Sequence, residues 1–421
     1  MADLRQHREK IRAVFAHLRR KGWRHWTVVV FVLIFGTLVR PYVDEYLGFD
    51  KARNWLSQRL LEWDWQPLEP RYVKVLLIGV DEYWRGSLAA RVPIKRDYLA
   101  RLVDDLDGAN AAAIALDFDV RLPDPARLAD FPEYRLETEQ LIHSILKAAE
   151  QRNIVLSKTV REAGGGRYVL EPDIYQLYGL CNRFDAAGQL SHSATPQFPI
   201  SARAARHISC GYIALTRDKR MLPARLPLTD GNFVDSFALA IARTSNPEEA
   251  ARIARTVSYG SFIPMAKLEE YHAIQSARDL IQANDATLRI LEHRIVVVGA
   301  GWSSQAAGRG VRVDLHDTPI GRLNGALIHA NFAEAFLDSR AYGHVPGIVL
   351  DAAEFVFGLL ASAVFALSAG IVRSIAGLIG LTGVLVAIQW AVMHLFGVFF
   401  EAFLPLVGVW LHSIWEQLFE R

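Results

Sequence analysis

The sequence predicts an α/β domain with a mainly parallel sheet and an antiparallel hairpin, carried on α-helical membrane spans, one before the domain and three after it. Three observations lead there. Short continuous apolar runs ending in acidic residues alternate with stretches of helical period, the pattern of strand–helix–strand units. Between Phe355 and Trp415 only Arg373 and Glu401 are formally charged, enough apolar length for three crossings of roughly 20 residues each. A fourth apolar run, Trp26–Val39, follows a basic tail near the N-terminus.

Residues 1–25 hold Arg5, Arg8, Lys10, Arg12, Arg19, Arg20, Lys21 and Arg24 against Asp3 and Glu9. Such an excess stays on the cytoplasmic side of a membrane. The expected order is therefore a cytoplasmic tail, a span over 26–43, an exported domain over 44–344, spans over 345–369, 373–393 and 397–415, and a cytoplasmic end over 416–421. Arg373 then falls in an inner turn, while the outer turn His394–Gly397 lacks Lys and Arg. The first uncharged run gives only about 21 Å of helix at roughly 1.5 Å per residue. Trp23, Trp26 and Tyr42 extend it at the interfaces while Arg24 and Arg40 snorkel. With no A-x-A-like site after it, a retained anchor is expected rather than a cleaved signal peptide.

The net charge of +2 excludes a nucleic-acid footprint, since the basic excess sits in the tail. Cys181 and Cys210 are the two cysteines, with 28 residues between them and both in the exported region. They can form a disulfide there, or remain two buried thiols.

Within the exported domain, Tyr42–Trp65 reads as a helical stalk closed by Pro67 and Pro70. Val73–Val80 is a buried parallel strand ending in Asp81 and Glu82, Arg96–Asp107 a helix, and Ala111–Leu116 the next strand, ending at Asp117 and Asp119. Thr138–Gln151 is a helix and Ile154–Lys158 a strand, after which Gly164–Gly166 break the chain. His207–Thr216 and Arg225–Leu228 read as the antiparallel hairpin, turning at Arg217–Arg220. Helices are expected over Phe233–Arg243, Leu268–Gln282 and Ile328–Ser339, with a last parallel strand at Ile295–Val298.

Three blocks carry a family resemblance: VLLIGVDE at Val75–Glu82 with the segment Arg91–Val120, ARHISCGYIALTRDKRMLPARLPL at Ala205–Leu228, and LEHRIVVVGAGWSSQ at Leu291–Gln305 with Val313–Leu337. The chain resembles the second type of CHASE domain, an extracellular sensory domain associated with cyclases and histidine kinases. The resemblance implies a receptor of the bacterial inner membrane with a periplasmic sensor and an output module fused after the third terminal span. Only EQLFER occupies that place here, so output through a separate effector is expected. The resemblance supplies no ligand.

Asp81, Asp117 and Asp119 end what read as neighbouring parallel strands, the edge where open α/β sheets bind ligands. Arg96 opens the helix between them, placed to neutralise the group. This quartet is the expected ligand-binding site, with carboxylates that also suit Mg²⁺ or Ca²⁺; the alternative is that Asp117 or Asp119 caps a helix or pairs with Arg96. VGAGWSS at Val298–Ser304 has Ser304 where a phosphate-binding turn needs a third glycine. It reads as a tight turn, and no cofactor is expected. Asp314–Asp317 is a possible metal cluster or a hydrogen-bonded turn. No nucleophile with a base and an orienting group is legible, so no catalytic residue is expected.

In the spans, Glu401 either faces a bundle interior or reaches the outer interface. Gly377, Gly380 and Gly383 permit close helix approach, within the bundle or to a partner or second copy. The expected function is a non-enzymatic membrane sensor or adaptor that detects a ligand or partner outside and signals through its bundle to a trans-acting cytoplasmic or membrane effector, as a homo-oligomer. The alternatives are a structural subunit of a membrane complex and a periplasmic hydrolase using the acidic strand ends.

Overall fold

A computed structural model of the 421-residue chain describes residues 70–120, 132–180, 200–215, 221–256, 273–302 and 315–342 with short gaps, the helix Ile371–Phe396, and scattered positions elsewhere. The chain divides into two compact units, Glu62–Gly343 and the pair of segments Met1–Leu61 and His344–Arg421.

Six strands form the main sheet of the first unit: β1 (Val73–Ile78), β2 (Ala113–Leu116), β3 (Asn153–Lys158), β4 (Ile208–Tyr212), β5 (Ile274–Ser276) and β6 (Ile295–Ala300). Their order is β5-β1-β6-β2-β3-β4 and every neighbouring pair is parallel. β6 sits at the centre, with Val75 opposite Val297 on one side and Val297 opposite Ala115 on the other. All six of its residues, IVVVGA, are buried. A continuous apolar run is what a strand covered on both faces requires.

The helices that cover the sheet are α1 (Val80–Trp84), α2 (Arg96–Gly108), α3 (Tyr134–Ala149), α4 (Phe237–Ser245), α5 (Pro247–Arg255), α6 (Ala277–Ile281), α7 (Asp285–Leu291) and α8 (Gly325–Leu337). Successive strand side chains point to opposite faces, so the sheet supports two cores. Leu76, Ile78, Ile114, Leu116, Val296 and Val298 pack with Leu99 and Leu102 of α2 and Leu141 and Ile145 of α3. Val73, Val75, Ala113, Ala115, Ile295 and Val297 pack on the other side with Phe237 of α4, Ile253 of α5 and Phe332 of α8. Each fully buried Val, Leu or Ile contributes about 1.5–3 kcal/mol relative to exposure.

Three sequence expectations are corrected. Ile208–Tyr212 is not one arm of a hairpin with 225–228; it is β4, the edge of the parallel sheet beside β3. Four of its five residues are buried, Ile208 in one core and Tyr212 in the other, which a one-faced hairpin strand would not allow. Arg225–Pro227 pairs instead with Phe233–Asp235, and Met221–Pro223 with Tyr259–Ser261, both antiparallel. Phe233–Asp235 is thus strand, and the helix begins only at Phe237, where the hydroxyl of Ser236 accepts the N–H of Leu239. Likewise Ile274–Ser276 is strand β5, with helix only over Ala277–Ile281 among the described residues of 268–282.

The glycines at 164–166 all have positive φ, in the turn between strands Val160–Gly164 and Arg167–Leu170. Cys210 on β4 is disulfide-bonded, and Cys181 is the other cysteine of the chain.

In the second unit, the expected span 373–393 falls inside the 26-residue helix Ile371–Phe396, and Gly377, Gly380 and Gly383 lie on it. The stalk, the expected spans 26–43, 345–369 and 397–415, both tails and Glu401 lie outside the described residues, scattered positions apart. Among the described residues no helix is long and apolar enough to cross a membrane.

Candidate ligand-binding edge of the sheet

Helices that follow parallel strands place their N-termini along the sheet's carboxyl edge. After β1 the chain passes to α2 on one face, whereas after β6 it reaches α8 on the other. Such a reversal opens a crevice at the strand ends. Here Tyr83 of α1 stacks on Trp302 just after β6, with ring centroids 4.1 Å apart and planes 13° from parallel. The glycines of the V-G-A-G segment serve packing. A Cβ on Gly299 would lie 2.3 Å from the Cβ of Ala326 on α8, and one on Gly301 would lie 2.7 Å from the carbonyl oxygen of Ile78.

The four expected site residues are distributed along this edge. Asp81 is exposed on α1 and lines a cleft of about 370 Å³ with Glu82, Gly86, Arg278, Ile281 and Gln282. Asp117 follows β2 and is buried, its N–H bonded to the carbonyl of Val298 at 2.9 Å. β1 and β2 are not neighbours, because β6 lies between them, which sets their ends roughly 10 Å apart at the usual strand spacing. Asp119 is exposed and accepts the hydroxyl of Thr159, beyond the end of β3, at 3.3 Å.

Arg96 is only 2 % exposed and turns towards α3. Its Nη1 donates to Thr138 Oγ1 at 2.6 Å, and its guanidinium carbon lies 3.9 Å from the centre of the Tyr134 ring. The Arg96 backbone N–H donates to Glu137 Oε2 at 3.1 Å. Glu137 also receives both terminal nitrogens of Arg91, whose Nη1 lies 3.0 Å from the half-exposed Glu133. Burial pulls the pKa of Arg96 down to about 10, while the nearby Tyr175 and Glu137 act in the opposite sense. The phenol of Tyr175 is pushed up, mainly by burial and also by Asp173.

Glu137, Tyr134 and Tyr175 did not stand out in the sequence. Glu137 carried a signal, being an acid on the otherwise apolar face of a helix, which demands a buried cation. Lys158 and Asp173, 2.5 Å apart and almost fully buried at the end of β3, carried none, because their segments join only in three dimensions. Of the Asp314–Asp317 motif, Asp314 lies outside the described residues, and Leu315–Thr318 forms an antiparallel ladder with Gly321–Asn324, Asp317 pairing with Arg322 at 3.0 Å. Among the described residues no group of three or more His, Cys, Asp or Glu is placed to hold a metal ion. His329 and Asn331 are buried within α8.

A six-stranded parallel sheet with helices on both faces, flanked by small antiparallel sheets, defines an open α/β domain. The CHASE2 domain matches residues 27–371, more than half of the chain, and the chain therefore belongs to the CHASE2 family. CHASE2 domains are extracytoplasmic sensory domains, which implies a signalling sensor associated with a membrane. No curated protein and no solved structure matches the chain.

Proposed function

We propose that this chain is a membrane-bound sensory or adaptor protein of the bacterial inner membrane. Its periplasmic domain detects a ligand or partner at the carboxyl edge of the sheet, with Asp81, Arg96, Asp117 and Asp119 as ligand-binding groups, and its membrane helices pass the change to an effector acting in trans. It acts without catalysing a reaction. Family membership across residues 27–371 carries this reading.

Two features support it. Cys210 is in a disulfide, a bond that persists in oxidising compartments. On the helix Ile371–Phe396, Ile379 and Val384 are 67 % and 53 % exposed, and a Cβ on Gly380 or Gly383 would meet nothing within 4 Å. An apolar helix face of this kind is suited to a lipid bilayer, a second copy or a membrane partner. A ligand shifts such a receptor only by binding two states with different affinity.

The test is purification of the full chain from its host in mild detergent, followed by identification of co-purifying proteins, alongside Asp81→Ala and Asp117→Ala variants assayed for response. A cytoplasmic or membrane-bound partner, with response lost and assembly intact in the variants, supports the reading. Absence of any such partner sinks the trans-acting effector, and loss of assembly instead of response favours a structural subunit.

A further inference from the structure

We propose that the cleft between α1 and α6 binds a free α-amino acid, with Asp81 holding its ammonium group and Arg278 its carboxylate. The inference rests on the reading of the sheet's carboxyl edge as the sensing site, and it places the ligand at one end of that edge.

The topology builds the cleft. β5 and β1 are parallel neighbours, with Ser276 opposite Leu77 where they end. The short helices that follow them, α6 and α1, therefore start side by side beyond the carboxyl ends of two adjacent strands, where open α/β sheets take ligands. Both helices are anchored on their inner sides, since Tyr83 of α1 and Ala277 and Leu280 of α6 are buried in the first core. Their outer sides, with Asp81 on one and Arg278 and Ile281 on the other, enclose about 370 Å³. That is the small end of the roughly 300–1,000 Å³ usual for ligand pockets.

The charges select the ligand. Asp81 and Arg278 both line the cleft, and among the described residues neither side chain has a hydrogen-bond or ion-pair partner, nor do they pair with each other. Glu82 is already engaged, and its carboxylate lies back against Gly86, where a Cβ would come 2.7 Å from Oε2. One free carboxylate and one free guanidinium, held apart across a small space, match a molecule that carries an ammonium and a carboxylate of its own. The planar fork of Arg278 suits a planar carboxylate. A quaternary ammonium would call for aromatic faces, and among the described residues no aromatic ring lines the cleft. Ile281 gives the ligand's side chain an apolar wall, and Gln282 gives an amide.

Asp81 and Arg278 are both exposed, so either contact alone is worth little in water. Two contacts made by one small molecule reinforce each other, because the second forms within the complex already made by the first. A ligand with only one of the two charges should therefore bind much more weakly than one with both.

The test is thermal melting and titration calorimetry of the purified full chain in mild detergent, against each of the common L-amino acids at equal ionic strength. Propionate and ethylamine serve as analogues with one charge each, and magnesium and calcium chloride as cation controls. Saturable binding of at least one amino acid is expected, with propionate and ethylamine about tenfold or more weaker. Asp81→Asn and Arg278→Gln should each weaken amino-acid binding about tenfold or more, while leaving the ligand-free melting temperature unchanged, since both side chains are exposed and unpartnered. The proposal is overturned if no amino acid binds, if either analogue binds as well as the amino acid, if both variants bind as the parent does, or if the cleft takes a divalent cation in preference. Failure of the ligand class and failure of the sensor reading separate cleanly. If no amino acid binds while Asp81→Ala still abolishes response, the class is wrong and the edge remains the sensing site. If Arg278→Gln loses amino-acid binding and the response is unchanged, the cleft stands and its part in sensing falls.

Discussion

The carboxylate of Glu334 accepts the backbone N–H of Val73 at 2.7 Å across 261 residues of sequence, and that of Tyr72 at 2.8 Å. Glu334 lies near the end of α8, the last helix of the α/β unit, and Val73 begins its first strand. The same segment is held from its other side, where Arg294 Nη1 donates to the Arg71 carbonyl at 2.7 Å and the Ile295 N–H to that of Tyr72 at 3.2 Å. The segments that enter and leave the unit are thereby bonded to one another. Glu334→Ala would strand the buried amide of Val73, at about 1–3 kcal/mol, and the part-buried amide of Tyr72 at less. The expected loss is about 2–4 kcal/mol in urea unfolding of the full chain, with faster hydrogen exchange at Tyr72 and Val73.

Glu334 also sets a pH dependence. Burial raises its pKa above the ordinary glutamate value, although the amides of Val73, Tyr72 and Arg71 and the charge of Lys74 pull it back. The folded state thus binds the proton more tightly than the unfolded chain. Stability from this group is greatest below the ordinary carboxylate pKa and falls as pH rises through the raised folded value. Unfolding measured from about pH 4 to about pH 8 should show Glu334→Gln lacking that fall, with parent and variant running parallel at the alkaline end. A steeper decline in the variant would contradict this.

Much of the parallel sheet was legible because its strands are apolar on both faces. Val73–Ile78 and Ile295–Ala300 have hardly any other use for such runs. Order was not legible: β6 inserts between β1 and β2 from almost 180 residues downstream, and no local pattern records that. The misreading of Ile208–Tyr212 has the same origin, since a five-residue strand beside a turn resembles a hairpin arm until the covering helices are known. Of the site, the residue types at strand ends were legible and their partners were not. Arg96 stood out as a cation among acids, yet its side chain goes to Tyr134 and Thr138, residues whose facing side depends on how α2 packs on α3.

The bridge at Cys210 makes a separate prediction. With Cys181 as the other cysteine, it closes a loop of 28 intervening residues, for which chain-entropy reasoning gives about 3–4 kcal/mol. Cys210 is buried on β4 within the first core, so Cys210→Ser removes the bridge and also places a hydroxyl in an apolar setting. Cys181→Ser isolates the first effect. The expected result is a comparable loss in both variants, somewhat larger for Cys210→Ser, and a mobility shift of the parent alone on reduction under denaturing conditions. Stability unchanged by either substitution would show that the bridge constrains little in the unfolded chain.

Glycines on β6 and on the helix Ile371–Phe396 should respond in opposite ways. Gly299 has no room: its added Cβ would sit 2.3 Å from the Cβ of Ala326, forcing β6 and α8 apart. Overpacking of this kind costs about 1–3 kcal/mol. Gly299→Ala should lower the melting temperature, and Ala326→Gly should recover part of the loss in the double variant, a coupling that two independent sites would not show. Gly380 and Gly383 have nothing within 4 Å, so Gly380→Leu and Gly383→Leu should leave the chain's own fold intact. If that face is where a second copy or the effector docks, the same substitutions should reduce cross-linked oligomer or partner recovery in mild detergent. Unchanged assembly in both variants would remove these glycines from the contact surface and leave the lipid as their neighbour.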